Sequence, residues 1–205
     1  MPALTFISQS SQSEDNVAFS PERLINAYAE HGPQSAKGQL LIRSVLGQTA
    51  FADLSTNILR AIGVVNGVIY AVGGGSLYSV SSGGTVSNLG TVIDDAVTTI
   101  EGNGTSVAIT AGGTYYVWDG STLSTPTGGA FASEGTVTYF DQRTIISEKN
   151  GDRFEWTDLA DPETRQVLNV ATNESRNDNT LRVLADRREL WFFGEESIEV
   201  WYNNG

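Results

Sequence analysis

Cysteine is absent from this 205-residue chain, and histidine occurs once. The first absence excludes a disulfide framework, and the two together exclude the common Cys/His zinc sites. Long apolar runs are also missing: none approaches the roughly 18 residues that cross a membrane as a helix. The opening stretch MPALTFISQSSQSEDNV has neither a basic n-region nor an apolar h-region, so neither a secretion signal nor a membrane anchor is expected. Basic residues are scarce, 12 against 24 acidic, which leaves a formal charge of −12. Nucleic-acid binding through phosphate neutralisation needs clustered cations. The densest cluster, Arg182 with Arg187 and Arg188, alternates with acids, so ordinary nucleic-acid binding is not expected. The acidic balance keeps a protein soluble, and it also suits a surface that faces a polyanion without adhering to it.

Glycine, by contrast, is plentiful, at 22 residues, and its placement is periodic. From about residue 61, short alternating apolar runs are broken by Gly, Asn and Asp. VNGVIYAVGGGSLYSV, GNGTSVAITAGGTYYVW, FDQRTIISEKNGDRFEW and ADRRELWFFGEESIEVW align on a tight turn. Asn66-Gly67, Asn103-Gly104, Asp141-Gln142 and Asp186-Arg187 occupy that place, and each is followed by a strand, a second hairpin turn and a strand. Asn-Gly between alternating runs signals a type I′ hairpin, because both central residues need positive φ. Units of about 40 residues built from short strands are the mark of β-propeller blades. Three blades and the first strands of a fourth can be counted. A ring needs at least about four and usually six to eight, so an all-β propeller truncated within this chain is expected. The fold class is therefore all-β, with blades over residues 61–205 and an N-terminal arm and docking segment over 1–60. In that arm SPERLINAYAEHG reads as a short helix or turn from a Ser20 cap and Pro21, with a strand as the alternative. QLLIRSVLGQTAFADL reads as strand and turn.

In order, RLINAYAE, LLIRSVLGQTAF, VNGVIYAVGGGSLYSV, LGTV, VTYFDQRTIIS, RFEWTDLADPETRQV and RRELWFFGEESIEVWYNNG carry a resemblance. Together they resemble the packaged-DNA stabilisation, or tail-hub (nozzle), proteins of short-tailed bacteriophages, over nearly all of residues 21–205. Two departures stand out. Relatives continue beyond this length, and the Leu46-Gly47 of SVLGQTAF stands where they often have Pro-Gly. The resemblance implies a non-enzymatic virion protein of the tail, made in the host bacterial cytoplasm and arranged as a ring of six copies below the portal and its adaptor (head-tail connector) proteins. It further implies that the ring continues the DNA channel, retains packaged DNA without sequence-specific contact, and docks tail needle or tail fibre proteins.

Residues for those tasks can be named as candidates. Arg23, Asn26 and Tyr28 are candidates for holding the arm or contacting neighbours. Trp191, Phe193, Trp201 and Tyr202 are divided between core packing and interface, with packing favoured. Asp94, Asp95 and Glu101, between blades, and Glu195, Glu196 and Glu199, at a hairpin, are candidate channel-facing acids. A solvated face is the ordinary fate of such charges.

Signals of catalysis are weak. His31 sits alone in a Gly-Pro loop. The glycines of GVVNGVIYAVGGGS lack the GK[ST] ending and following helix of a phosphate loop. SEKNGDRFEW fits the Asp-box hairpin of sialidase-type propellers only loosely, with Lys149 in the aspartate position. A carbohydrate-binding or glycoside-hydrolysing propeller is the rival reading, with Asp141, Glu155, Asp158 and Asp161 available as carboxylates. A bacterial extracellular repeat protein is a third. No catalytic residue, metal or cofactor is expected.

Overall fold

A computed structural model of the chain describes residues 27–31, 40–56, 58–173 and 178–202. The described residues contain strands and no helix. They fall into two compact units, 1–50 and 51–205. In the first, β1 (Ala27–His31) pairs antiparallel with β2 (Leu40–Ser44). The described part of the arm is therefore strand rather than helix. The strand alternative is the one found, because the backbone groups of Ala27–His31 are paired with those of Leu40–Ser44 across the hairpin. Arg23 and Asn26 lie outside the described residues.

The second unit is four antiparallel sheets in chain order. Blade 1 is β3 (Leu59–Val65), β4 (Val68–Gly73), β5 (Ser76–Val80) and β6 (Val86–Thr91). Blade 2 is β7 (Thr98–Gly102), β8 (Val107–Ala111), β9 (Thr114–Trp118) and the two-residue β10 (Leu123–Ser124). Blade 3 is β11 (Glu134–Phe140), β12 (Arg143–Glu148), β13 (Arg153–Asp158) and β14 (Asp161–Thr172). Blade 4 has three strands, β15 (Thr180–Asp186), β16 (Glu189–Gly194) and β17 (Ile198–Tyr202). The first strands of successive blades pack in the series β3, β7, β11, β15.

Turn chemistry explains the hairpins. Asn66 and Gly67 both have positive φ (49° and 76°), as do Asp141 and Gln142 (48° and 62°). Gly74-Gly75 and Gly112-Gly113 repeat the device at the second hairpin. Two of the aligned turns differ from expectation. Gly102 pairs with Val107, so the loop at Asn103 is four residues long. The Asn103 side-chain oxygen accepts the Thr105 and Ser106 amides at 2.9 and 2.7 Å, satisfying two donors within the loop. In blade 4, Asp186 pairs with Glu189, so the turn is Arg187-Arg188, one residue later than the alignment placed it.

Three apolar clusters lie between the blades. Val65, Val72, Leu77, Ile100, Ile109 and Tyr116 fill the first junction. Ala108, Tyr115, Val117, Val137 and Ile146 fill the second. Ile145, Phe154, Val183, Leu190 and Phe192 fill the third. Hydroxyls link the inner strands across the last two junctions. The Val137 amide donates to Thr99 Oγ1 at 2.9 Å, and the Val183 amide donates to Thr136 Oγ1 at 3.0 Å. Thr136 also meets Ser147 at 3.1 Å, and all three groups are buried. A Thr136→Val change keeps the volume and removes the acceptor for Val183. It is expected to cost about 1–3 kcal/mol in chemical denaturation, the penalty for one unsatisfied buried donor. Thr136→Ser should recover most of that loss.

Candidate functional site

Backbone hydrogen bonds stitch one rim of the propeller unit. Val92 N donates to Gly75 O, Glu134 N to Gly113 O, Lys149 N to Ser133 O, Thr180 N to Gly151 O and Glu195 N to Asn179 O, all at 2.8–3.2 Å. Each joins the second turn of a blade to a connection leading into an inner strand. Four of the six candidate acids lie on this rim. Asp94 pairs with Arg60 at 2.7 Å, which holds its carboxyl below the usual range. Asp95 lies 3.7 Å from Lys149. Glu195, at the last turn, accepts from the Asn179 amide at 3.1 Å, and the Glu196 backbone amide donates to Asp178 at 2.8 Å.

The other two acids lie elsewhere. Glu101 is half-buried at the far end of β7. Burial pushes its carboxyl above the ordinary value, against the opposing pull of Arg182. A raised folded-state value is stabilising only while the group is protonated, and that contribution is lost as pH rises. Glu101→Gln should therefore raise the melting temperature at neutral pH and leave it unchanged well below the carboxylate range. Glu199 faces blade 3 and accepts the Trp201 indole N–H at 2.6 Å.

The aromatic candidates also separate. Phe192 pairs with Glu199, and Leu190 with Trp201, so Trp201 shares the Phe192 face. Its ring lies 5.1 Å from Phe154 of blade 3 in an edge-on arrangement. Trp191, Phe193 and Tyr202 occupy the opposite face of the same sheet, Trp191 and Phe193 being stacked at 6.4 Å. Tyr28 is 48% exposed on β1.

A charged clasp between blades 2 and 3 escaped the sequence reading. The Arg165 side chain is 4% exposed and faces Glu155 (2%) and Glu134 (9%). Its Nε donates to Glu155 at 2.7 Å, one Nη to Glu134 at 2.7 Å, and the other to the Pro126 carbonyl at 3.1 Å. Glu155 also accepts the Ala130 amide at 2.6 Å, strapping the loop that enters blade 3. The guanidinium lies 5.2 Å over the Tyr115 ring, whose hydroxyl donates to Pro162 O at 2.9 Å. Burial pushes that phenol well above its ordinary value. For Arg165, burial favours losing the proton, but the two carboxylates outweigh it and the guanidinium stays charged. Gly129 makes room, since a Cβ there would strike the guanidinium. The only sequence signal was an arginine within a long outer strand, which by itself has no partner.

Of the carboxylates considered for glycoside chemistry, Glu155 belongs to this clasp, Asp161 accepts the Glu163 and Thr164 amides, and Asp158 holds Gln166. A groove of about 500 Å³ between blades 3 and 4 is lined by Phe140, Arg143, Phe154, Trp156 and Leu159 among others. Among the described residues no three His, Cys, Asp or Glu side chains are grouped to hold a metal ion. No helix among them is long and apolar enough to cross a membrane.

These sheets, stacked face to face around a series of inner strands, define a β-propeller protein. A computationally designed protein, Ika4, shares 12% identity and superposes with a TM-score of 0.58, over 77% of this chain and 99% of that one. YCF48 in complex with a D1 peptide gives 15% and 0.52, over 81% of this chain and 58% of its own. PorZ, a surface component of the type-IX secretion system of Porphyromonas gingivalis, gives 11% and 0.53, with 86% of this chain and 24% of PorZ covered. Such low identities speak for the fold alone. No protein of curated function matches the chain. The chain belongs to the phage-stabilisation family described as bacteriophage P22 Gp10, beta-propeller, whose model matches residues 5–205. It is thus a phage structural protein of the packaged-DNA stabilisation type, with a place in the virion among other virion components.

Proposed function

We propose that this protein is a tail hub, or nozzle, mounted below the portal and its adaptor. It works there through assembly rather than catalysis, as a ring of copies that continues the DNA channel and docks needle or fibre proteins. The family match over residues 5–205 carries the reading. The charge supports it: six copies would carry six times the −12 of one chain. Acid facing a channel repels phosphate and lets DNA slide. Asp94, Asp95, Glu195 and Glu196, gathered at the stitched rim, are the acids best placed to act together in this way, with Glu101 and Glu199 as further candidates. The arm residues Arg23, Asn26 and Tyr28 are assigned to contact with the adaptor or a neighbouring copy.

Electron microscopy of intact particles tests the reading. Density for the protein as a ring directly beneath the portal is expected, and particles lacking it should lose their DNA. Density only on the capsid surface, with DNA retention unchanged in its absence, would sink the proposal.

A further inference from the structure

Asn-Gly occurs at three described turns, Asn66-Gly67, Asn103-Gly104 and Asn150-Gly151, and a fourth, Asn204-Gly205, lies outside the described residues. The step is chemically labile. The backbone nitrogen of the glycine can attack the asparagine Cγ, and no side chain stands in its path. That nitrogen gives up its proton, the new N–Cγ bond forms, and the Cγ–Nδ2 bond breaks as the side-chain nitrogen takes a proton and leaves as ammonia. Water then opens the resulting cyclic imide at either carbonyl, giving aspartate or isoaspartate. One water is consumed for each ammonia released, and no other reactant is needed.

The three turns give that chemistry unequal access. Asn103 is locked: its side-chain oxygen accepts the Thr105 amide and hydroxyl, both at 2.9 Å, and the Ser106 amide at 2.7 Å. Asn150 is exposed, but Gly151 is crowded. A Cβ there would strike the Glu148 carboxylate, and negative charge beside an amide opposes its deprotonation. The Gly151 carbonyl is also held by the Thr180 amide at 2.8 Å. None of these restraints acts at the tip of blade 1. Val65 pairs with Val68, which leaves the Gly67 N–H outside the ladder. Nothing lies within 4 Å of the place a Gly67 Cβ would take, and both turn residues are exposed. Among the described residues no hydrogen bond holds the Asn66 side chain. This exposure belongs to the tip rather than to the flank of the blade. Asp141 and Gln142, at the same place in blade 3 and between two other blades, are exposed as well.

We infer that Asn66 is a self-modification site, converting spontaneously to aspartate and isoaspartate ahead of Asn150 and Asn103. The two products differ in consequence. Aspartate fits the turn, because Asp141 holds the equivalent position with a φ of 48° against 49° for Asn66. Isoaspartate carries the main chain through the side-chain carbon, so the turn gains an atom and the Val65–Val68 pair that closes it is lost. Val65 is 8% exposed and fills the space a Cβ on Gly102 of blade 2 would need. Isoaspartate therefore loosens the junction of blades 1 and 2, and either product adds a negative charge to the chain. The modification concerns the propeller unit and does not depend on its placement in a tail.

The test is incubation of the full 205-residue chain at mildly alkaline pH, followed by peptide mapping with electron-transfer fragmentation to separate aspartate from isoaspartate. The Asn66 peptide should convert at least about tenfold faster than the Asn103 peptide, whose three hydrogen bonds must break first. Conversion should accelerate as pH rises, because it starts from the deprotonated glycine nitrogen. In urea all three sites should react at similar rates, which assigns the difference in the folded chain to its structure. Asn66→Asp should keep the wild-type melting temperature, whereas wild type aged to isoaspartate should melt earlier. Asn66 left intact in a folded sample whose urea counterpart converts would overturn the inference, as would Asn103 reacting as fast as Asn66 in the folded chain. An isoaspartate form that melts like fresh protein would overturn the effect on the junction.

Discussion

Arg165→Ala is expected to lower the unfolding free energy by about 3–5 kcal/mol, the scale for breaking a buried ion pair from one side. The cause is what remains: Glu155 and Glu134, 2% and 9% exposed, would share a dry site with no cation. Lysine should rescue little. A compact ammonium cannot replace a planar fork that serves Glu155, Glu134 and the Pro126 carbonyl together. Glu134→Gln should cost much less, because the clasp would keep one guanidinium and one carboxylate. Urea denaturation followed by tryptophan fluorescence measures all three. A loss below about 1 kcal/mol for Arg165→Ala, the scale of an exposed pair, would show that the clasp is more solvated than its geometry implies. Gly129→Ala should reproduce part of the loss from the opposite side, by displacing the guanidinium.

Phe192→Ala and Phe193→Ala form the second contrast, neighbours in sequence with unlike expected outcomes. Phe192 is 1% exposed, with its ring 4.5 Å from Phe154 and 6.4 Å from Trp201. Truncating it opens a cavity at the junction of blades 3 and 4 and should cost about 3–5 kcal/mol. Phe193, on the opposite face, leans on Trp191 and solvent and should cost about 1 kcal/mol or less in the isolated chain. Thermal unfolding followed by near-ultraviolet circular dichroism distinguishes them. Equal losses would mean that blade 4 is covered on both sides.

Much of the architecture was legible in the residues. Asn66-Gly67, Asp141-Gln142 and the paired glycines at 74–75 and 112–113 demand positive φ and so announce hairpins. The alternating runs between them supply strands at blade spacing. The turn at blade 4 was placed one residue early because Asp186 looks like its turn-forming counterparts, whereas the pairing of Asp186 with Glu189 sets the register. The aromatic group was read as one set. Strand parity divides it, and that parity across the last hairpin depends on the register its turn imposes.

The sequence by itself determined the all-β class, the repeat and the sign of the charge, because these depend on neighbours in the chain and on composition. Only the tertiary structure decided which residues meet. Arg165 finds Glu134, 31 positions away, and Thr136 accepts from Val183, 47 positions away. Phe192 and Phe193 part company only once their sheet has another blade on one side. Burial and pairing at such separations are set by how sheets stack, and no local pattern records that.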